Sequence, residues 1–510
     1  MNKKSRRKIK KPGSRLAVVL IAMAIQVAWF VLVLWRLSQL YVVISSVMRL
    51  IALLLVLMLY WKETNAAFKM PWMILIMTFP ILGILLYYLM GRPEMGYHLQ
   101  RRFDAADAEL FAEISDGSDA EAALRRIRPG AANQTRYIQN YSCYPLYQNT
   151  DVIFYGDTGA ALEAQLEALR QAKRFIFLEY HTFEDAIAFG RMKTVLYERA
   201  AAGVDVRIIY DDLGCISHVG KNFKQELSAH GVDCRVFNPV IPILSPLINN
   251  RDHKKITVVD GIIGFTGGYN LADEYFNLTH PYGQWKDSGV RLEGEAVHSL
   301  TVMFLEMWNA FHRTDADYAV FFPKHLPETA SAGFVQPYAD TPLDQEPLGE
   351  NIYMNIIKHA ERYVWFSTPY LIISDEMTRE LALAAKRGID VRILTPGIPD
   401  KKMIFQVTRS YYEKLLDAGV RIFEYTPGFC HAKQCISDDD TCVVGTVNLD
   451  YRSLYLHFED GVFLYGCPAA ADIKQDFEKT FAVCREVSPE CTSFVIRLWR
   501  AVLRLFAPMM

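Results

Sequence analysis

Two stretches of this 510-residue chain carry the same residue types at the same spacing. His253, Lys255 and Asp260 stand in HKKITVVD, and His431, Lys433 and Asp438 stand in HAKQCISD, 178 residues later. Each His is followed seventeen residues on by an asparagine, Asn270 in GFTGGYN and Asn448 in VVGTVN. One such motif would say little, since a His and a Lys two apart more often mark an ordinary strand. Repetition in equivalent positions, with a matching downstream Asn, points to chemistry. Residues i and i+2 of a strand share a face, so each His and its Lys are expected to point the same way. If the two copies pack about a pseudo-twofold axis, two imidazoles, two ammonium groups and two amides converge. Imidazole can act as nucleophile or as acid and base, while Lys and Asn donate hydrogen bonds to oxyanions. That set suits a phosphoryl group. Asp260 and Asp438 could orient imidazoles, including those of the opposite half, or form turns at strand ends. Glu274 and Glu459, downstream of the two Asn residues, could hydrogen-bond a His or sit in structural ion pairs.

The surroundings of the motifs repeat as well. Residues 175–180 (FIFLEY) and 363–367 (YVWFS) are apolar runs of strand character, each preceded by a helical pattern. Residues 203–210 (GVDVRIIY) and 388–395 (GIDVRILT) follow, then 231–237 (GVDCRVF) and 419–423 (GVRIF). Strands alternating with helices predict an α/β fold of two pseudo-symmetric repeats, each a mostly parallel sheet covered by helices. The repeats read as 136–325 and 326–490, after a helical linker over 92–135 in which Pro129 and Gly130 mark a break.

At 51% hydrophobic and 22% charged residues, the chain is too apolar for a disordered protein and slightly apolar for a soluble one. Eight Lys and Arg residues fall in the basic segment 1–15, leaving 47 basic against 57 acidic groups. That mildly acidic bulk argues against a general nucleic-acid binder. Residues 16–35 carry no charge and are long enough to cross a bilayer. Apolar segments at 42–61 and 70–91 complete a membrane region over 16–91. Arg49 reads as a charge snorkelling near a helix end, and Pro80 and Gly83 as residues that membrane helices tolerate. The basic start predicts a cytoplasmic N-terminus. Three spans would put the remaining chain outside, whereas two spans plus an interfacial or re-entrant segment would leave it inside. In the C-terminal segment 491–510, Arg497, Arg500 and Arg504 share one helical face. This reads as a buried closing helix or, better supported, as an amphipathic interfacial helix with its cations toward anionic lipid heads.

The nine cysteines are odd in number and scattered, which favours reduced thiols. No C-x-x-C pair, H-E-x-x-H or P-loop occurs, so neither zinc nor a bound nucleotide is expected. Cys430 and Cys435 flank His431 without the spacing of a zinc set. Tyr210, Asp211 and Asp212 lie at a strand end, where α/β sites gather, without an assignable role.

The paired motifs resemble the HKD signatures of the phospholipase D superfamily, and the details resemble bacterial cardiolipin synthases. The segments that carry this are KMPWMILIMTFPILGILLYYLMGR, FLEYHTF, RDHKKITVVDG, GFTGGYNLADEY, WKDSGVRLEG, FSTPYLIISDEM and GTVNLDYRSLYLHFE. His457 stands where that family usually has Asn, and His181 where it commonly has Tyr. The resemblance implies phosphatidyl transfer from one phosphatidylglycerol to a second, giving cardiolipin and glycerol through a phosphohistidine, in a multi-pass protein of the bacterial cell membrane. It implies His253 as nucleophile and His431 as acid and base, with Lys255, Lys433, Asp260 and Asp438 completing the catalytic set. Asn270, Asn448, Glu274 and Glu459 are expected at the substrate. No cofactor, metal or nucleic acid is implied, and the oligomeric state is left open. The alternatives are a phospholipase D-type phosphodiesterase, with water as acceptor, and a non-catalytic membrane scaffold. Two complete motifs count against the scaffold.

Overall fold

The computed structural model describes residues 13–40, 42–62, 64–91, 97–240, 249–311, 313–329, 332–344, 346–489 and 493–507. Most of the basic segment 1–15 lies outside these residues, as do the side chains at the start of the first apolar helix.

The strands of the first repeat are β1 (Thr150–Tyr155), β2 (Phe175–Tyr180), β3 (Asp205–Asp211), β4 (Val232–Phe237), β5 (Arg251–Asp252), β6 (Lys255–Val259), β7 (Ile263–Gly267) and β8 (Gly289–Gly294). Those of the second are β9 (Phe334–Asp340), β10 (Tyr363–Ser367), β11 (Asp390–Pro396), β12 (Arg421–Tyr425), β13 (Gln434–Ser437), β14 (Thr441–Gly445), β15 (His457–Tyr465) and β16 (Cys484–Glu486). The first sheet runs β1-β8-β7-β6-β2-β3-β4, and the second repeats that order as β9-β15-β14-β13-β10-β11-β12 with β16 added at the edge. The duplication legible in the sequence is therefore a duplication of topology.

The sheets are mixed, which corrects the expectation of mostly parallel pairing. Among the described residues only β2–β3–β4, β10–β11–β12 and the short β5–β15 ladder are parallel; the other ladders are antiparallel. The cause is local. Asp260 and Gly261 take positive φ between β6 and β7, as do Asp438 and Asp439 between β13 and β14. Such residues close tight hairpins, and a hairpin makes its strands antiparallel. The helices between β2 and β4 or β10 and β12 (Ile187–Ala201, Asp375–Lys386 and Lys402–Leu416 among them) make the parallel crossovers.

The expected apolar segments 16–35 and 42–61 are helical, within Gly13–Leu40 and over Val42–Trp61. Among the described residues no helix is long and apolar enough to cross a membrane. The third segment is not one helix but two, Ala66–Thr78 and Pro80–Met90. Phe79 leaves helical geometry (φ −130°, ψ 74°), as a residue before proline tends to, and Pro80 restarts the helix at its first position. The two pieces fold back on each other so closely that a Cβ on Gly83 would strike the Ile76 backbone. This hairpin is pinned to the second repeat. Asn65 donates to Tyr455 Oη at 3.0 Å, and Phe68 packs edge-on against Tyr451 and Tyr455.

The C-terminal helix Phe494–Leu505 is amphipathic as expected, and two of its cations make contacts with the protein surface. Arg497 pairs with Glu413 at 2.7 Å and Arg504 lies over the Tyr411 ring. Val495, Leu498, Trp499 and Val502 are left exposed. No disulfide forms among the described cysteines.

Candidate active site

The two motifs meet at the junction of the repeats, and backbone pairing brings them there. His253 N–H donates to the Phe458 carbonyl at 2.8 Å, while β5 pairs with His457 and Phe458. In the other half His431 N–H donates to the Lys286 carbonyl at 2.7 Å, and Lys286 bridges Cys430. Each His is thus docked against the strand entrance of the opposite repeat. The residue after each carbonyl is an acid, and that acid holds the ring. Glu459 Oε2 lies 2.8 Å from His253 Nδ1, and Asp287 Oδ2 lies 2.7 Å from His431 Nδ1.

A neutral imidazole that gives Nδ1–H to a carboxylate keeps its lone pair on Nε2. Burial, and then the nearby Lys255, Lys433 and His431, hold His253 well below the usual imidazole range. Burial and Lys433 lower His431 to about 4, against the pull of Asp287. Burial also resists the charge on Asp287, but His431 and Lys433 outweigh it and keep that carboxylate below its usual range.

The lysines complete a buried cationic pocket. Burial brings Lys433 down to about 7 and Lys255 to about 8, although neighbouring carboxylates pull the other way. Lys255 Nζ donates to the His253 carbonyl at 2.5 Å. Lys433 Nζ donates to the His431 carbonyl at 2.6 Å and stands 2.9 Å from that ring's Nε2. It is also 2.8 Å from Nδ1, but that nitrogen's proton is already committed to Asp287. Among the described residues no group hydrogen-bonds to Nε2 of His253. The rings also differ in company: His431 sits among Tyr275, Trp285 and Phe429, and His253 between His181 and His457.

Of the other residues expected here, Glu459 is in place and Glu274 is not. Glu274 lies half-buried in the turn Asp273–Phe276, where burial and then Glu184 raise its carboxyl, and it touches neither imidazole. Its expected place is taken by Asp287, which sequence reasoning missed. The signal was present, since WKDSG and LHFEDG each set an acid two residues before a glycine at the start of an equivalent strand. Gly268 matters for the same reason: a Cβ there would collide with Asp287 Oδ1.

Asp260 and Asp438 stand at the far ends of β6 and β13 from the histidines. Asp260 accepts the N–H groups of Lys173, Arg174 and Phe175, and Asp438 those of Glu361, Arg362 and Tyr363. They cap the start of the neighbouring strand, so an imidazole-orienting role is excluded by geometry. Asn270 donates to Tyr275 Oη at 2.9 Å, and Tyr275 packs edge-on against His431. The Asn448 side-chain oxygen is buried without a hydrogen bond. Asp211, at the strand end noted in the sequence, accepts Gly214 N–H and Asp252 N–H and lies 3.4 Å from Arg251, so it braces β5 just before His253.

A family model described as "Cardiolipin synthase, PLD-like domain" matches residues 166–308 and 353–481, one block for each motif. The chain belongs to this family of the phospholipase D superfamily. A second model, "Phospholipase_D-nuclease N-terminal", matches 47–92. Cardiolipin synthase 2 of Bacillus anthracis is 33% identical over 441 residues, covering 86% of this chain and 85% of its own length. The cardiolipin synthase of Geobacillus sp. (strain WCH70) is 33% identical over 465 residues, covering 88% of this chain and 90% of its own length. An uncharacterized protein of Streptococcus mutans is 38% identical over 459 residues, covering 89% and 99%. In fold, the crystal structure of phosphatidylserine synthase from Haemophilus influenzae superposes with a TM-score of 0.54 at 13% identity, covering 74% of this chain and all of its own.

Proposed function

We propose that the chain is a cardiolipin synthase, moving a phosphatidyl group from one phosphatidylglycerol to another. The observation that carries this is the crossed pairing of two imidazoles with carboxylates of the opposite repeats inside a cationic pocket.

His253 is the nucleophile in this reading, because among the described residues no donor meets its Nε2, whereas Lys433 covers Nε2 of His431. Nε2 attacks phosphorus and the bond from phosphorus to the glycerol headgroup oxygen breaks. His431 gives a proton to that oxygen, so glycerol leaves and a phosphatidyl-histidine remains. The anionic diester makes this possible, since a negative charge beside His431 favours its protonated form. His431 then takes the proton of a hydroxyl on the second phosphatidylglycerol, whose oxygen attacks phosphorus and frees His253. Lys255, Lys433 and the amide of Asn448 neutralise and bind the equatorial oxygens. No metal is required, because two lysines supply the positive charge.

The finer placement at the membrane belongs to the same proposal. The apolar helices within 16–91 anchor the enzyme in the bacterial cell membrane, and the outward Val495, Leu498 and Trp499 rest on the same lipid surface. Purified protein given phosphatidylglycerol alone is expected to form cardiolipin and glycerol in equal amounts; phosphatidic acid in their place would favour the hydrolase.

A further inference from the structure

His457 plays no part in the transfer just described, yet it sits beside the reacting ring. Its centroid is 5.4 Å from that of His253, and its Nδ1 lies 3.5 Å from Glu459 Oε1 without meeting the geometry of a hydrogen bond. One ligand atom from each of His253, His457 and Glu459 falls within 4.8 Å of the other two. Two imidazoles and a carboxylate at such spacing are a three-ligand set for a borderline divalent cation, with a fourth position left for water. Glu459 is steadied by Ser453 Oγ at 2.5 Å, the kind of outer contact that orients a metal-binding carboxylate. A cavity of about 40 Å³ between Asp340, Glu346, Leu454 and Tyr455 reaches His457.

We infer that His253, His457 and Glu459 form an inhibitory site for zinc. The ion would take Nδ1 of His253 in place of the hydrogen bond to Glu459. The ring proton then resides on Nε2, which loses the lone pair that attacks phosphorus. No proton is gained or lost by the ring; its tautomer is reversed. The Nε2 of His457 accepts from Arg452 Nε at 3.4 Å, a contact the ion would displace in taking that lone pair. The inhibitory consequence rests on His253 being the nucleophile, whereas the binding itself does not.

The test uses the full-length, chelator-treated protein in detergent, with Zn²⁺ as the probe. Equilibrium dialysis is expected to find one ion per chain that is weakened at least about tenfold by His457→Asn, and by His457→Gln should the first variant fold poorly. Co²⁺ in place of zinc should give a visible spectrum that these variants lose. Turnover of phosphatidylglycerol should fall with site occupancy, recover with chelator and become about tenfold less sensitive to zinc in the variants. Equal zinc binding by wild type and both variants would overturn the site. Site-specific binding that leaves turnover untouched would overturn the inhibition, and binding can be read even if no cardiolipin is made.

Discussion

Asp287 and Glu459 decide which nitrogen of each imidazole carries the proton, and so which can react. Asp287→Asn keeps the shape but offers His431 an amide in place of a carboxylate. A loss of about 10³ to 10⁴ in kcat is expected, by analogy with other His–Asp couples, while Glu274→Gln stays within about threefold of wild type. Steady-state turnover of the two variants checks this. The pocket also predicts a pH response. Lys433 is held near 7 by burial, and in the proposed reaction its protonated form binds the anionic diester. Because kcat/KM reports the free enzyme, it should fall as pH rises through that value. Lys433→Gln should lower kcat/KM by about 10² and move the remaining alkaline limb to higher pH; identical profiles would refute the role. The histidines and lysines were legible because they repeat along the chain. Asp287 was not, because its partner lies 144 residues away and contact is made only when the repeats cross. The His253, His457 and Glu459 cluster was hidden for the same reason, since no local spacing links residue 253 to 457.

At the scale of elements, the aspartates of the two motifs support strands and hairpins. Asp260→Ala removes the acceptor of three N–H groups and a residue type that tolerates positive φ, so about 2 to 3 kcal/mol of stability should be lost. The folded fraction should turn over normally, which separates this role from catalysis in a paired measurement of melting and kcat. Gly268→Ala should do the opposite, costing turnover steeply because the new methyl displaces Asp287. Helix and strand order was readable from apolar periodicity, but strand direction was not. The tight turns at Asp260–Gly261 and Asp438–Asp439 set antiparallel pairing over only a few residues, against a strong βαβ pattern elsewhere. The break at Phe79 is likewise not legible in sequence, since Pro80 in an apolar run can either kink a long helix or start a new one.

For the whole molecule, the crossed pairing means that neither repeat holds a complete reacting ring. Mixtures of separately purified His253→Ala and His431→Ala proteins should remain inactive, because each chain lacks one of two groups that work together. Removing residues through Gly91 should release the protein from membranes, leave some turnover on detergent-dispersed lipid and lower the melting temperature, since Asn65 and Phe68 brace Tyr455. The most direct test of the account is to trap the covalent intermediate with phosphatidylglycerol labelled in its phosphate and map the label by peptide analysis. The label is expected on His253 in wild type, absent in His253→Ala, and retained in His431→Ala when the donor carries a good leaving group. Label that survives His253→Ala and vanishes in His431→Ala would reverse the assignment, and full turnover in both variants without any labelled histidine would contradict the mechanism.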